Sequence, residues 1–393
     1  MSIKRKIAVI ICAVLSLVLL LTLTACNGSY STDSDETQSE TQTMPDSYPA
    51  LKYTLLDDDT YSVSLGDATE KEINIPSEYN GKAVTQIAKY GFKNSEISSI
   101  KIPDSVKSIE KEAFYDCDEL TSIEIGNGVI SIGEGAFNEC DYLTSIEISD
   151  SVEAIGGWAF YRCERLETAK IGMGVTSIGK SAFSNCDSLE KIEVDENNIT
   201  YKSLDGVLYT KDGSALIQYP SGKYATNFKV PNSVEIIREQ AFYQAGKLIG
   251  LTMGSNVTNI AELAFCGCTN LESVVLGESV ETIGNFAFCG CYKLTSIIIP
   301  NSVKSIGDQA FSDGWSLTSV TIGENVTSIG EEAFYNCRIL RSIVIPQNVK
   351  TIGASAFAKC DSLTIYCEAK TQPSEWANYW NGSRYVQWGY TKE

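Results

Sequence analysis

Cysteine is the residue type in this chain whose number and spacing could carry chemistry: there are 13 cysteines and no histidine. The missing imidazole excludes Ser-His-Asp and Cys-His catalytic sites and His-ligated zinc. A cysteine can still be acylated, form a disulfide or pack as a small apolar side chain. The surrounding sequence places eleven of the thirteen cysteines in three groups, and each group predicts a different use of the thiol.

The first group is Cys26 alone, at the end of an N-terminal targeting segment. Lys4, Arg5 and Lys6 precede an almost wholly apolar stretch over residues 7–23, and the sequence Leu-Thr-Ala-Cys ends at Cys26. This tetrapeptide resembles the lipobox of bacterial lipoproteins. The resemblance implies a signal peptide over 1–25 and acylation of Cys26 with palmitate or a similar chain. An uncleaved membrane anchor and an ordinary secreted protein are the alternatives.

Residues 26–50 follow the apolar segment and contain no lysine or arginine. Their composition is acidic and rich in Ser, Thr and Gln, with low hydrophobicity and charge of one sign. Such a segment buries too little apolar surface to fold. We expect a disordered tether between the lipidated cysteine and the folded body.

The second group of cysteines belongs to an internal repeat. An Ala-Phe pair recurs every 23 residues in two runs, and eight cysteines lie three residues after the phenylalanine. The phenylalanines are Phe114, Phe137, Phe160, Phe183, Phe242, Phe265, Phe288, Phe311, Phe334 and Phe357. The cysteines are Cys117, Cys140, Cys163, Cys186, Cys268, Cys291, Cys337 and Cys360. Ala245 and Gly314 occupy the same position in other copies, so we expect a small, inward-facing slot with unbridged thiols.

The repeat reads L-x2-I-x-I-x3-V-x2-I-x3-A-F-x2-C and predicts a solenoid. I-x-I is typical of a short strand with two inward side chains, and the Pro or Gly that follows ends it. One coil cannot bury its apolar set alone, so coils must stack. We expect a leucine-rich-repeat-like right-handed coil over 93–365, with a parallel sheet of short strands and irregular or short helical turns. About eleven or twelve coils at the usual spacing of strands would form it.

The pattern, as in Ser151-Val152 through Cys163, resembles the BspA-type (Treponema-type) leucine-rich repeat of bacterial surface proteins. The resemblance covers roughly residues 51–390. It implies a surface-attached protein with an adhesive or binding role. It brings no catalytic residues and no cofactor.

Three segments depart from the repeat. Residues 51–92 are polar and irregular and predict an N-terminal cap with a degenerate first copy. An insert at 195–227 has two Asp-Gly turn signals between apolar runs and predicts a β-hairpin, either a binding protrusion or a structural elaboration. Residues 366–393 hold Trp376, Trp380 and Trp388, which either cover the open end of the last coil or cradle a sugar.

The third group of cysteines is Cys266 and Cys289, one residue after the phenylalanine. Other copies place Tyr, Asn or Ser there, which predicts an outward direction. Adjacent coils would bring the two within disulfide distance. A disulfide, two free thiols and, much less favoured, a thiolate metal site remain open for this pair.

The middle residue of each I-x-I strand faces solvent and marks the surface that could bind a partner. These residues are charged in the first half of the chain and become uncharged and β-branched in the second half. The second set comprises Thr252, Val275, Ile298, Thr321 and Val344. An exposed apolar stripe with a polar rim is typical of a protein-contact surface, although β-propensity alone also favours these residues.

Charge narrows the class of partner. With 50 acidic and 31 basic side chains the formal net charge is −19, which is opposite to what a nucleic-acid binder needs. We expect no enzyme and no metal, a monomer on the extracytoplasmic face of a bacterial cell membrane, and an extracellular protein or glycan as ligand. The alternative is a structural element of the cell envelope without a specific ligand.

Overall fold

The computed structural model describes residues 50–391, and these residues belong to one compact unit. Cys26, the predicted signal peptide and nearly all of the predicted tether lie outside the described residues. Within 50–391 every regular element is a β-strand, numbered β1 to β31 in chain order. The segments expected to contain short helical turns form consecutive β-turns instead, because their amides alternate between a bond inside the turn, as from Ala136 N to Gly133 O, and a bond to the next coil, as from Phe137 N to Ala159 O.

Strands with the I-x-I pattern form a first row along the solenoid. They are β3 (Glu72–Asn74), β6 (Ser99–Lys101), β8 (Ser122–Glu124), β10 (Ser145–Ile148), β12 (Thr168–Ile171), β14 (Lys191–Val194), β18 (Asn227–Lys229), β20 (Gly250–Thr252), β22 (Ser273–Val275), β24 (Ser296–Ile298), β26 (Ser319–Thr321), β28 (Ser342–Ile345), β30 (Thr364–Cys367) and β31 (Tyr385–Trp388). The row divides into sheets β3-β6-β8, β10-β12-β14, β18-β20-β22-β24-β26 and β28-β30-β31. All of its strand pairs are parallel.

The return segments form a second row of mostly two-residue strands. They are β2 (Tyr61–Ser64), β5 (Lys82–Ile87), β7 (Ser108–Ile109), β9 (Ser131–Ile132), β11 (Ala154–Ile155), β13 (Ser177–Ile178), β17 (Ala215–Gln218), β19 (Ile236–Ile237), β21 (Asn259–Ile260), β23 (Thr282–Ile283), β25 (Ser305–Ile306), β27 (Ser328–Ile329) and β29 (Thr351–Ile352). The remaining strands are β1 (Lys52–Leu55), β4 (Glu78–Tyr79), β15 (Tyr201–Leu204) and β16 (Val207–Thr210). They make antiparallel pairs with β2, with β5 and with each other.

The coils stack in register, so most residues lie beside the residue 23 positions later, as Ser305 lies beside Ser328. The fold is a β-solenoid with a period of about 23 residues, as the repeat predicts, and it has about 14 turns. The expected number of coils was too small because two non-repeating segments also form coils. The cap contributes β2, and the aromatic C-terminal segment contributes β31.

Aromatic rings fill the centre of the coils in two stacks. From Phe92 to Phe183 neighbouring ring centroids are 5.0–5.2 Å apart. From Tyr219 to Phe357 they are 4.6–5.5 Å apart. Phe92 joins the stack although its spacing to Phe114 is one residue short, so the degenerate first copy is a true coil.

The repeat cysteines lie beside this stack, buried and free, as the small inward slot predicts. Each donates its thiol hydrogen to the carbonyl oxygen of a phenylalanine in the preceding coil: Cys140 Sγ lies 3.1 Å from Phe114 O, and Cys360 Sγ lies 3.0 Å from Phe334 O. Burial raises the pKa of Cys186 and Cys268 to about 12. Cys186 and Cys268 therefore stay protonated and act as packing and hydrogen-bonding groups.

The segment at 195–227 contains the antiparallel pair β15–β16, and its third strand enters the solenoid. β17 pairs antiparallel with β16 and parallel with β19. Tyr219 then takes the place of the repeat phenylalanine, since its ring lies 4.8 Å from that of Phe242, 23 residues later. Val207 and Leu208 are fully buried and belong to the two separate hydrophobic clusters of the unit. The hairpin thus joins the two halves of the core and is no free protrusion.

The C-terminal aromatic residues close the second stack. Trp380 meets the ring of Phe357 edge-on at 5.9 Å, and Trp376 lies against Trp380 at 4.7 Å. Both indoles are almost completely buried, at 3% and 2% exposure. Of the tryptophans considered for sugar stacking, only Trp388 keeps an accessible surface; Trp376 and Trp380 cover the core.

Candidate partner-binding surface

The first row presents a stripe of outward side chains that crosses five consecutive coils. Strand register places Thr252 beside Val275 and Ile298 beside Thr321. Val344 follows on β28, one coil further. At the usual spacing of strands, four steps between these residues span about 19 Å. All five residues predicted from the sequence therefore lie in one line.

Exposure within this stripe is uneven. Val275 is 59% and Ile298 is 69% exposed, which makes them the most exposed aliphatic side chains of the first row. Thr321 is also exposed, whereas Thr252 and Val344 are half-buried. The apolar part of the surface is thus concentrated on β22 and β24.

Alternation along each strand explains why these side chains point outward. On β24, Ile297 is buried while Ser296 and Ile298 are exposed on either side of it. The serines at the first position of β22, β24, β26 and β28 are exposed in the same way. A polar row therefore lies next to the stripe on four of its five coils, whereas β20 begins with the buried Gly250.

The matching positions in the first half of the chain are occupied by charges that neutralise each other. Lys101 Nζ lies 2.8 Å from Glu124 Oε2, and Lys170 Nζ lies 3.7 Å from Glu147 Oε2. Both pairs join neighbouring coils on the same outer face. This half of the row resembles an ordinary solvated sheet surface, in contrast to the half that bears Val275 and Ile298.

The structure extends the stripe by one residue that the sequence reasoning missed. Tyr366 on β30 lies directly beside Val344 and is half-buried, with its ring 4.9 Å from that of Tyr390. The signal for it was weak because β30 follows β28 at a step of 22 residues rather than 23. The alternating sequence Thr-Ile-Tyr-Cys of β30 carries the same inward and outward pattern.

The prediction that Cys266 and Cys289 both point outward is wrong for Cys266. Cys266 is 5% exposed, and Cys289 is half-buried. The slot lies between stacked turns, and even its polar occupants are buried there, with Ser184 at 0% and Ser312 at 3% exposure. Polarity at this slot was therefore a poor guide to direction.

Both thiols of this pair are free in the structure, and the disulfide between them stays a prediction. A hydrogen bond to Cys289, together with burial, raises the pKa of Cys266 well above its usual range. Cys266 therefore remains protonated at neutral pH.

Over residues 50–391, no three Cys, Asp or Glu side chains come together in a way that could hold a metal ion. In the same range no helix has the length and apolar character needed to cross a bilayer.

Comparison with known proteins agrees with this geometry. The BspA type Leucine rich repeat region matches residues 85–204 and 235–364 in six copies, and the chain belongs to this family. No curated protein sequence matches the chain.

Solved structures show the same architecture. A leucine-rich repeat protein from Eubacterium ventriosum is 25% identical, with a TM-score of 0.71 over 88% of this chain and 94% of that chain. A leucine rich cell surface protein from Faecalibacterium prausnitzii is 27% identical, with a TM-score of 0.54 over 88% and 97%. The pneumococcal vaccine antigen PcpA, at 24% identity, shares the fold with a TM-score of 0.68 over 86% and 96%.

Proposed function

We propose that this protein is a non-catalytic binding protein of the bacterial cell surface, whose first-row stripe contacts an extracellular protein or a glycan. The observation that carries the proposal is the pair Val275 and Ile298, which leave two large aliphatic side chains in water on adjacent coils. The matching positions in the first half carry paired charges instead. Apolar patches with a polar rim are typical of protein-contact surfaces.

The energetics favour a protein partner. Complete burial of a Val or Ile side chain contributes about 1.5–3 kcal/mol. Val275 and Ile298 are each more than half exposed, so a partner that covers them can gain most of this free energy. A stable interface buries about 800 Å² on each partner, so the serine row and Thr321 must also be covered. A protein laid along several coils can cover them all.

Attachment at Cys26 is the second part of the proposal. Two or three acyl chains anchor a protein stably, because each buried methylene adds about 0.8 kcal/mol. The similar structure from Faecalibacterium prausnitzii is that of a cell surface protein, which supports the same location here. The lipid then forms the membrane contact, and the acidic body extends away from the bilayer.

A binding screen with a paired variant tests the surface. The full-length protein in nonionic detergent is tested against fibronectin, fibrinogen, mucin and a glycan array, beside Val275→Asp/Ile298→Asp. We expect saturable binding that the double variant loses at least tenfold. The matched control is Lys170→Asp, which places the same side chain at the same position of β12 and leaves binding unchanged.

Two outcomes would contradict the proposal. Binding that survives the double substitution moves the contact to another surface. Absence of any ligand favours the alternative, a structural spacer of the cell envelope, whose exposed sheet would tolerate both aspartates without loss of attachment or assembly.

A further inference from the structure

The second row carries a separate, open groove on the C-terminal half of the solenoid, distinct from the first-row stripe. This groove, here called the second-row groove, has a volume of about 940 Å³ and extends along β21, β23, β25, β27 and β29 to the segment at Glu375 and Ala377. From Asn259 to Thr351 it spans four coil steps, or about 19 Å.

Glycines form the floor of the groove. A Cβ atom at Gly307 would come within 2.5 Å of the Asn285 nitrogen, and one at Gly330 within 2.5 Å of the Asp308 nitrogen. Close stacking of the coils therefore requires glycine at these positions. The floor therefore exposes backbone at Gly284, Gly307, Gly330 and Gly353, and Ala261 takes the same position in the first coil of the groove.

The two walls of the groove differ in chemistry. One wall is a row of small polar side chains, one on each coil: Asn259, Thr282, Ser305, Ser328 and Thr351. The other wall holds the residue that follows each floor position: Glu262, Asn285, Asp308 and Glu331. A hydrogen bond holds the Asp308 side chain in this wall in place, since Asp308 Oδ1 accepts it at 2.7 Å from the backbone nitrogen of Glu331 in the next coil.

The groove is negatively charged along its whole length. Glu262, Asp308, Glu331 and Glu375 line it, and no lysine or arginine does. None of these four carboxylates forms an ion pair with another residue of the range 50–391. Lys304 and Lys350 precede wall residues in the sequence but lie outside the lining.

In the other coils, charged side chains at this wall position form ion pairs with one another. Lys111 Nζ lies 2.7 Å from Glu134 Oε1, and Lys180 Nζ lies 2.5 Å from Glu239 Oε1. Lys111, Glu134, Lys180 and Glu239 occupy the wall position that Glu262, Asp308 and Glu331 take in the groove. Unpaired charge is therefore a feature of the groove and not of the row.

From this arrangement we infer that the second-row groove binds an extended, cationic polypeptide segment, with its lysines or arginines against Glu262, Asp308 and Glu331. An extended chain of about six residues matches the length of the groove. The row of hydroxyls and amides can hydrogen-bond its backbone, and the glycine floor lets that backbone approach closely. The carboxylates are spread along the trough and do not converge on a point, which favours a chain with several charges over one metal ion.

Fluorescence anisotropy with a labelled, end-blocked hexapeptide of alternating lysine and threonine tests this inference. We expect the full-length protein in nonionic detergent to bind this peptide, and to bind it more weakly as salt is raised. Asp308→Asn/Glu331→Gln keeps the shape and the backbone acceptor of Asp308 and should weaken binding about fivefold. The matched control, Glu153→Gln/Glu167→Gln, removes the same charge from exposed positions in the first half and should leave binding unchanged.

Three results would overturn the inference. An equal loss in the control variant would show diffuse attraction to an acidic surface. Absence of peptide binding at low salt would show that the groove does not hold a cationic chain. Binding of a neutral chitin hexamer that the peptide cannot displace would assign the groove to a glycan. Val275→Asp/Ile298→Asp should not change peptide binding, so failure here is distinguishable from failure of the first-row stripe.

Discussion

At the scale of single residues, the repeat cysteines show why a thiol occupies the slot beside the aromatic stack. Alanine would fit there but would remove the thiol donor from the phenylalanine carbonyl of the preceding coil. Cys163 Sγ lies 3.1 Å from Phe137 O and supplies that donor. Where Ala245 stands in the slot, the Gln218 amide takes over and donates to Tyr219 O at 3.1 Å. A buried carbonyl therefore keeps a partner in both cases.

Native alkylation tests this assignment of the thiols. In the reduced protein, an uncharged maleimide should modify Cys289 first, because Cys289 is half-buried while the other cysteines of residues 50–391 are buried. The buried thiols should react only after denaturation. Peptide mass spectrometry identifies the modified residue, and Cys289→Ser is the matched control.

One outcome would contradict this assignment of the thiols, and another would establish the disulfide. Labelling of Cys140 or Cys163 before Cys289 would mean that the coils open in the native state. If the protein isolated without reductant resists labelling and is 2 Da lighter in the 266–289 peptides, the predicted disulfide between Cys266 and Cys289 forms.

The sequence correctly predicted that the repeat cysteines are buried, but it wrongly predicted that Cys266 points outward. The 23-residue period identifies which residues occupy equivalent positions in successive coils. Small residues at one such position indicate that its side chains point into the core. Ser, Asn and Tyr at another slot do not indicate an outward direction, because a turn stacked between two coils can bury a serine completely, as at Ser184. The environment of such a slot depends on the neighbouring coils.

At the scale of elements, a glycine follows most of the two-residue strands of the second row and packs against the backbone of the preceding coil; Glu110, Arg238 and Ala261 are the exceptions. A Cβ atom at Gly307 would lie 2.5 Å from two backbone atoms of the preceding coil. Backbone cannot move aside as a flexible side chain can. Glycine is therefore required at position 307, where the backbones of two coils approach this closely.

Substitution of two glycines separates this effect from glycine flexibility. Gly307→Ala should lower the free energy of unfolding by about 1–3 kcal/mol through overpacking. Gly246→Ala is the matched control, because a Cβ atom there has no neighbour closer than 3.7 Å, and it should be neutral or stabilise by up to about 1 kcal/mol. Urea denaturation measures both, and equal effects would contradict close stacking at Gly307.

The hairpin segment supplies a second test at this scale. Tyr219→Ala should cost about 3–5 kcal/mol, as expected when a buried aromatic side chain is removed. Tyr219→Phe loses only the hydroxyl bond of 3.4 Å to Ala225 O, so its cost should stay near 1 kcal/mol or less. Thermal and urea unfolding compare the two variants. A Tyr219→Ala protein as stable as wild type would show that this segment lies outside the stack.

The sequence carried a signal for Tyr219 that the Ala-Phe pattern concealed. Tyr219 lies 23 residues before Phe242, but Gln218 stands in place of alanine and tyrosine in place of phenylalanine. Counting only Ala-Phe pairs makes the segment an insert of 36 residues, whereas the structure adds 13 residues to one widened coil. The Asp-Gly turns of the hairpin were readable because turn chemistry is local; the return of β17 to the solenoid depends on long-range pairing.

At the scale of the whole molecule, the solenoid separates two surfaces on its C-terminal half. The first row presents an apolar stripe, and the second row presents the acidic groove. Each surface repeats one residue position along several coils, so a partner meets the same chemistry over about 15–20 Å. Extended binding surfaces of this kind are typical of repeat proteins.

Anchoring is the prediction that belongs to the intact chain. Cys26→Ser should release the protein from the membrane fraction or leave its signal uncleaved, because the acylated sulfur is lost. Detergent phase partitioning and intact mass measure the change, and Cys12→Ser inside the apolar segment is the control. A Cys26→Ser protein with unchanged mass increment and partitioning would contradict lipidation at Cys26.

Photocrosslinking at Ile298 tests the central claim most directly. Benzoylphenylalanine replaces Ile298 in one full-length protein and Lys170, on the charged half of the same row, in another. With a ligand from the binding screen, the account predicts a crosslinked complex from position 298 and none from position 170. Crosslinking from 170, or from a control probe at Ser305 in the second-row groove but not from 298, would contradict the assignment of partner binding to the first-row stripe.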